Sequence, residues 1–338
     1  MRNAVFSHFS SHFQNRHEQR PTMEGLNFRK LSGREGVALL KPFSVEEVRA
    51  AIWECDNFKY LGPDGVNLGF IKDLWDILKD DVMRFISEFH QNGRLAKCIN
   101  STFVALIPKI DSPQRLNDFR PISLVGSMYK ILAKVLACRL RSVIGSVVSD
   151  TQSAFIKRCQ ITDGILVANE IVDEAHRCNK ELLLFKVDFE EAFDSVDWGY
   201  LMEVMSNMDF PLLWHKWIKE CIGTATASVL VNGSPTDEFC LERGLRRGDP
   251  LSPFLFLLAI EGFNILMESL LVNNIFSGFQ VGSSASTTVS HLQFADDTLI
   301  LGVKSWANIR TMHAILLLFE KLSGLKVNFS KSHILVGV

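Results

Sequence analysis

Short apolar strands alternating with longer amphipathic helices, with acids gathered at strand ends, point to an α+β fold in which an antiparallel sheet is backed by helices. Three stretches carry this expectation. Residues 182–188 read LLLFKVD, an apolar strand that ends in Asp188. Residues 291–301 read HLQFADDTLIL, two apolar runs joined at Asp296-Asp297 as in a tight hairpin. Across 127–144, Met128, Ile131, Leu132, Val135, Leu136 and Leu140 recur at helical spacing, with Lys130, Lys134, Arg139 and Arg141 mostly on the other faces.

The remaining elements follow in chain order. Ser44 and Glu47 form a capping box that opens a helix toward Cys55. Gly-Pro-Asp-Gly at 62–65 is a turn, and the helical pattern after it runs through Phe89 and ends near Gly93. Phe103 to Ile107 reads as a strand halted at Pro108. After the strand at 182–188 come a helix from Trp198, another across 212–222, and strands at 226–231 and 238–242. A long helix from about 253, the hairpin at 291–301, a helix at 305–322 and a strand at 325–329 complete the reading. There are no repeats and no low-complexity stretches.

A chain of 338 residues with 47% hydrophobic content can bury one large core or two modest ones. Its longest apolar run, 253–267, is interrupted by Glu261 and reads as a buried helix, so no membrane partner is expected. The first residues lack the apolar core of a secretory signal. Seven cysteines without a C-x-x-C pair argue for reduced thiols and against a disulfide framework or a zinc knuckle. An intracellular location is expected, nucleus and cytoplasm both open. His8, His12 and His17 read as a solvated helix face. The net charge is −2, yet residues 94–160 hold eleven basic side chains against three acidic ones, a local +8. Phosphate binding depends on where positive charge sits, so this segment is the expected nucleic-acid grip.

The chemistry lies in the acids. A strand tipped with one carboxylate and a hairpin tipped with two is what a two-metal phosphoryl-transfer centre requires, because three carboxylates can hold two Mg²⁺ ions that stabilise the attacking and leaving oxygens of an in-line displacement. An isolated Asp-Asp pair usually marks only a solvated turn. Here four blocks follow one another: VDFEEAFDSVDW (187–198), RGLRRGDPLSPFLF (243–256), QFADDTLIL (293–301) and GLKVNFSKS (324–332). Upstream stand GPDGVNLGFIKDLW (62–75), FVALIPK (103–109), DFRPISLVGSMYKILAKVLACRLR (118–141) and SAFIKRCQITDGILVANE (153–170). In order and wording this series resembles the reverse transcriptase of LINE-type (non-LTR) retrotransposons, particularly those of plants, from about residue 30 to the C-terminus.

The resemblance implies a right-hand polymerase fold: an N-terminal extension and helical region over 1–93, fingers over 94–180 and a palm over 181–338. It implies an RNA-directed DNA polymerase using two Mg²⁺ ions, or Mn²⁺ in their place, with an RNA template, a DNA primer and dNTPs as partners. Asp188, Asp296 and Asp297 are then the metal-binding catalytic residues, and the backbone carbonyl of Phe189 could complete a metal shell. Phe193 aligns with the aromatic that lies beneath the incoming sugar and excludes a 2′-hydroxyl, a core phenylalanine being the alternative. Lys109 and Arg120 resemble the residues that reach the triphosphate. Gly244, Arg247, Gly248 and Pro250 belong to the loop that packs against the nascent base pair.

The chain departs from the family at several points. Arg247 stands for a usual Gln, Arg158-Cys159 for Gly-Arg, Glu191 for Lys, Asp209 for a turn Gly, and Tyr60-Leu61 for a small residue and Pro. No endonuclease segment or Cys/His-rich tail is seen, and the chain stops at Val338 with the thumb missing. The rival expectation is therefore a catalytically decayed fragment that retains at most nucleic-acid binding, or one completed by a partner supplying the thumb or endonuclease.

Overall fold

The computed structural model describes residues 1–15, 20–57, 60–156, 160–282 and 287–337. In chain order, helices α1 (Arg2–His12), α2 (Gly33–Leu39), α3 (Val45–Trp53), α4 (Leu68–Asp73) and α5 (Trp75–Asn92) come first. Strands β1 (Ser101–Pro108) and β2 (Phe119–Val125) follow, then α6 (Ser127–Val147), α7 (Ile161–Arg177) and β3 (Leu182–Val187). Next are α8 (Ala192–Ser195), α9 (Trp198–Asn207), α10 (Leu212–Gly223), β4 (Thr226–Val231), β5 (Ser234–Pro235) and β6 (Phe239–Cys240). The rest is α11 (Ser252–Val272), β7 (Phe279–Val281), β8 (Thr287–Val289), β9 (His291–Phe294), β10 (Asp297–Val303), α12 (Trp306–Ser323) and β11 (His333–Gly337).

The chain divides into two compact units, one of Met1–His17, Leu31–Val143 and Asp209–Phe254, the other of Glu18–Lys30, Ile144–Met208 and Leu255–Val338. Each unit is assembled from three separate segments, so residues 94–180 and 181–338 are both divided between them.

The first unit is built on the sheet β2-β1-β4-β5, with β6 also on β4. β1 and β2 form an antiparallel hairpin from Thr102↔Val125 to Pro108↔Phe119, while β1 and β4 run parallel. The helices bury apolar side chains, among them Val48 and Ile52 of α3, Ile86 and Phe89 of α5, and Trp214 and Trp217 of α10, with the Trp217 ring 5.9 Å from that of Phe89. Helix starts follow local chemistry: Ser44 accepts from the Glu47 N–H, and Gly93 ends α5 at φ 60°, a conformation that L side chains resist. Arg139 of α6 is buried, bound to both carboxylate oxygens of Glu47 at 2.7 and 2.8 Å and to the Leu39 and Lys41 carbonyls. Lys134 and Arg141 pair with Glu54. Part of the local positive charge is therefore answered inside the protein, and Lys157 and Arg158 lie outside the described residues.

The second unit holds the antiparallel sheet β11-β3-β10-β9. Alternation sends Leu183, Phe185 and Val187 of β3 and Ile300 of β10 into the core. There Phe263 of α11 and Phe319 of α12 meet edge to face with ring centroids 5.4 Å apart. Helix α7 packs Ile171 and Ala175 against Leu182, Phe279 and Leu301. Helix α11 is long and apolar enough to cross a bilayer by composition, and 72% of its apolar window is buried within the protein.

Three expectations change. Residues 325–329 form no strand, only the single bridge Phe189↔Val327. The Asn328 carbonyl and side chain accept from Lys331 N–H and the carbonyl also from Ser332 N–H, so an asparagine turn ends the extended run and the strand forms instead at His333–Gly337. The strand expected at 238–242 is two residues long. His8 and His12, expected on a solvated face of α1, are half-buried and stack with ring centroids 6.5 Å apart; His17 lies outside the described residues. Strand β2 and helix α7 had no counterpart in the element reading.

Glu261 of α11 is fully buried, accepting from the Ser149 N–H at 3.1 Å and from Asn264 at 2.9 Å, and burial pushes its carboxyl up to about 8. Burial pulls the His291 imidazole down to about 4. The signs are opposite. A raised Glu contributes stability that is full below its ordinary range near 4.5 and is lost as pH climbs to about 8. A depressed His contributes stability that is present above about 6.5 and is lost as pH falls to about 4. Of these two groups, Glu261 alone titrates between about pH 6.5 and 8. Urea unfolding is expected to show stability falling by up to about 1.4 kcal/mol per pH unit between about pH 6.5 and 8, a slope that Glu261→Gln removes.

Candidate active site

Within the second unit, β10 pairs with β3 from Val303↔Leu182 to Thr298↔Val187. The next residue on each strand is Asp297 and Asp188, so the register delivers both carboxylates to the same end of the sheet. Asp188 is half-buried and Asp297 exposed. The Lys186 ammonium lies 3.4 Å from Asp297 across the same pair of strands, an exposed contact of little stabilising value. β9 and β10 close as a hairpin at Phe294↔Asp297, leaving Ala295 and Asp296 as its two turn residues. Ala295 takes φ 54°, which costs an L residue about 1–2 kcal/mol and persists only where neighbours fix it. Asp296 is exposed at the tip.

The backbone beside Asp188 is fixed from the far end of the chain. Its N–H donates to Ser332 Oγ at 3.1 Å and its carbonyl accepts from the Asn328 N–H at 2.7 Å. Glu190 N–H donates to the Lys326 carbonyl at 2.8 Å, so residues 326–332 brace the loop after β3. Phe189 is buried, its ring 6.1 Å from that of Phe319. Phe193 of α8 is half-buried and stacks on the buried Phe256 at 4.5 Å with the rings 19° apart. A cavity of about 350 Å³ adjoins the hairpin, lined by Ser153, Ile165, Lys186, Gln293, Phe294 and Asp297 among others.

The donor chemistry suits a hard divalent cation, since carboxylate oxygens are the ligands Mg²⁺ takes. Among the described residues no three His, Cys, Asp or Glu side chains gather into a metal-holding cluster. A cation held by one or two carboxylates, water and substrate phosphates needs no such cage.

In the first unit, Lys109 and Arg120 lie at one end of the β1–β2 hairpin, both exposed. Lys109 donates from Nζ to the Asn117 carbonyl at 2.9 Å. The loop 243–250 runs beside β2, with Ser123 N–H donating to the Arg247 carbonyl at 2.7 Å. At Gly248, φ is 102° and a Cβ would lie 2.7 Å from the Ser123 carbonyl oxygen, so only glycine fits. Arg246 and Asp249, which the motif reading passed over, hold the loop: their side chains meet at 2.9 Å, both almost fully buried. Arg246 also donates to Asn100 and Thr102, and Asp249 accepts from the Tyr129 hydroxyl at 2.7 Å. Burial keeps that hydroxyl protonated by pushing it well above its usual range.

Two of the departures acquire a geometry. Asp209 takes φ 58°, the conformation that explains a glycine there, and Glu191 takes φ 49° at the start of α8. Tyr60 is exposed, and Arg158-Cys159 lies outside the described residues.

An antiparallel sheet that ends in Asp188 and in a two-carboxylate hairpin, with helices packed against it, is the palm of a nucleic-acid polymerase. The chain belongs to the reverse transcriptase (RNA-dependent DNA polymerase) family, whose model matches residues 107–337. It is 28% identical over 302 residues to the transposon TX1 uncharacterized 149 kDa protein of Xenopus laevis, covering 89% of this chain and 23% of that protein. It is 25% identical over 270 residues to the Pol polyprotein of the type-2 retrotransposable element R2DM of Drosophila melanogaster, covering 80% and 24%. Telomerase from Candida albicans, solved with a fragment of telomeric RNA, superposes with a TM-score of 0.49 at 13% identity, covering 80% of this chain and 46% of that one. The chain thus carries a reverse transcriptase domain of the non-LTR retrotransposon type and spans about a quarter of the length of those two curated relatives.

The buried Arg246–Asp249 pair gives a stability test. Arg246→Met leaves Asp249 buried without its cation, and urea denaturation is expected to record a loss of about 3–5 kcal/mol.

Proposed function

We propose that this domain catalyses RNA-templated DNA synthesis, joining a dNTP to a primer 3′-hydroxyl. The observation that supports this most strongly is the β3–β10 register, which brings Asp188 and Asp297 to one sheet end beside the turn carrying Asp296. In the reaction the primer 3′-hydroxyl gives up its proton to solvent, its oxygen bonds to the α-phosphorus, the α–β bridging bond breaks, and pyrophosphate leaves. The family generally works with divalent metal ions, and two Mg²⁺ ions, when bound, supply electrostatic stabilisation of the attacking and leaving oxygens.

Asp188 and Asp296 are the residues that would hold them, with Asp297 and the Phe189 carbonyl as further oxygen donors. The braced backbone at Asp188 keeps its carboxylate positioned without reorganisation at the moment of reaction. Phe193, backed by the stacked Phe256 ring, is a firm floor beneath a sugar and discriminates against a 2′-hydroxyl. Lys109 offers a point charge and Arg120 a planar fork to triphosphate oxygens. Arg247 and Gly248 belong to a loop whose backbone is fixed against β2, suited to contact a base pair.

Primer extension tests the reading: oligo(dT) on poly(rA) with dTTP and Mg²⁺ is expected to give extended product. Asp296→Asn or Asp188→Asn is expected to lower the rate by about 10³-fold or more while hybrid binding persists. Absence of extension by the unaltered protein would refute the proposal. Phe193→Ala is expected to raise incorporation of UTP relative to dTTP; an unchanged ratio assigns the ring to packing alone.

A further inference from the structure

β9 is the outer strand of the sheet that carries the acidic hairpin, so the ladder beyond it is open to whatever the chain lays there. Residues 151–154 lie there. Gln293 N–H donates to the Thr151 carbonyl at 2.9 Å and Ser153 N–H donates to the Gln293 carbonyl at 3.0 Å, forming a parallel bridge between Gln152 and Gln293. Backbone pairing stops at that bridge, before the turn. From there the Gln152 side chain continues it. Its Oε1 accepts from the Ala295 N–H at 2.9 Å, and its Nε2 makes a longer contact, 3.5 Å, to the Ala295 carbonyl. The same Oε1 accepts from the Ala154 N–H at 3.0 Å, which fixes the side chain from its own strand. Gln152 is fully buried. An amide side chain facing a backbone N–H and C=O copies the pairing of a neighbouring strand, and here it does so at the residue held at φ 54°.

We infer that Gln152 is a positioning residue: by supplying a surrogate strand to Ala295 it holds the turn in its strained form and so sets where Asp296 and Asp297 point. Its catalytic consequence rests on the polymerase reading above, while the clamp itself does not. The segment is in turn held by a buried polar set, in which Thr151 Oγ1 donates to Asn264 at 3.1 Å and Ser149 N–H donates to Glu261. The clamp therefore stands on α11 and not on the exposed surface.

Gln152→Met keeps the side chain's bulk and removes both polar contacts to Ala295 and the one to Ala154; Gln152→Asn, too short to reach, is the second variant should Met fail to fold. Amide hydrogen exchange is read at 294–297, with β3 and α12 as internal references, and primer extension gives kcat and the KM for dTTP. Exchange is expected to rise tenfold or more at the turn alone, and kcat is expected to fall by about 10–100-fold with KM changed by less than about twofold. Unchanged turn exchange, acceleration shared equally with β3 and α12, or an unaltered kcat overturns the inference. Selective acceleration in a protein whose unaltered form extends no primer leaves the clamp standing and removes the polymerase reading instead.

Discussion

The register between β3 and β10 is the constraint on which the site depends. Side chains alternate faces along a strand, so a slip of one residue would carry Leu183, Phe185 and Val187 out of the core and move every acid to the wrong side. Burial of those residues, with Ile300 opposite Phe185, therefore locks the register. The hydrophobic core of this unit thus decides where two charged side chains stand. That is a cheap way to place carboxylates: none of them has to be buried, and the energy comes from apolar area closing behind them.

Around this frame, distant pieces of chain fix the backbone near each acid. Residues 326–332 hold the loop after Asp188, and residues 151–154 hold the hairpin turn before Asp297. The other unit follows the same logic with different chemistry. There a buried guanidinium, Arg246, and the carboxylate of Asp249 hold the loop that contains Gly248, with Tyr129, Asn100 and Thr102 completing their hydrogen bonds. Buried polar groups that are all partnered specify one backbone arrangement, because any alternative leaves a group unpaired. The acidic and basic residues of these blocks consequently divide into two kinds. Asp249 and Arg139 act on the protein itself, whereas Asp296, Asp297, Lys109 and Arg120 are exposed and Asp188 is half-buried.

Much of the fold was legible because local rules sufficed. The Ser44 cap, the Gly93 stop, the strand broken at Pro108 and the hairpin around Ala295-Asp296 all depend on neighbours within a few residues. Strand β2 was missed because Pro121 and the polar residues near it blur its alternation, and its pairing partner β1 supplies the reason it is extended. Helix α7 was also missed, although it buries Ile171 and Ala175 on one face against Leu182, Phe279 and Leu301 while Ile165, Leu166 and Val167 are exposed. The strand expected at 325–329 failed at Asn328, whose turn-forming hydrogen bonds outweigh the apolar run before it.

The sequence by itself determined the family, the ordered blocks, the acids at strand ends and the helix boundaries, since motif wording and local propensity are written in consecutive residues. Only the tertiary structure decided which charges are buried and partnered within the protein and which remain exposed. Arg246 and Arg247 are adjacent and chemically identical, yet one is sealed among Asn100, Thr102 and Asp249 while the other's backbone runs beside β2. Gln152 belongs to the same category, a glutamine without any motif signature until the chain folds and sets it against a turn 143 residues away. Burial and partnership are properties of contacts between distant segments, and no window of sequence contains them.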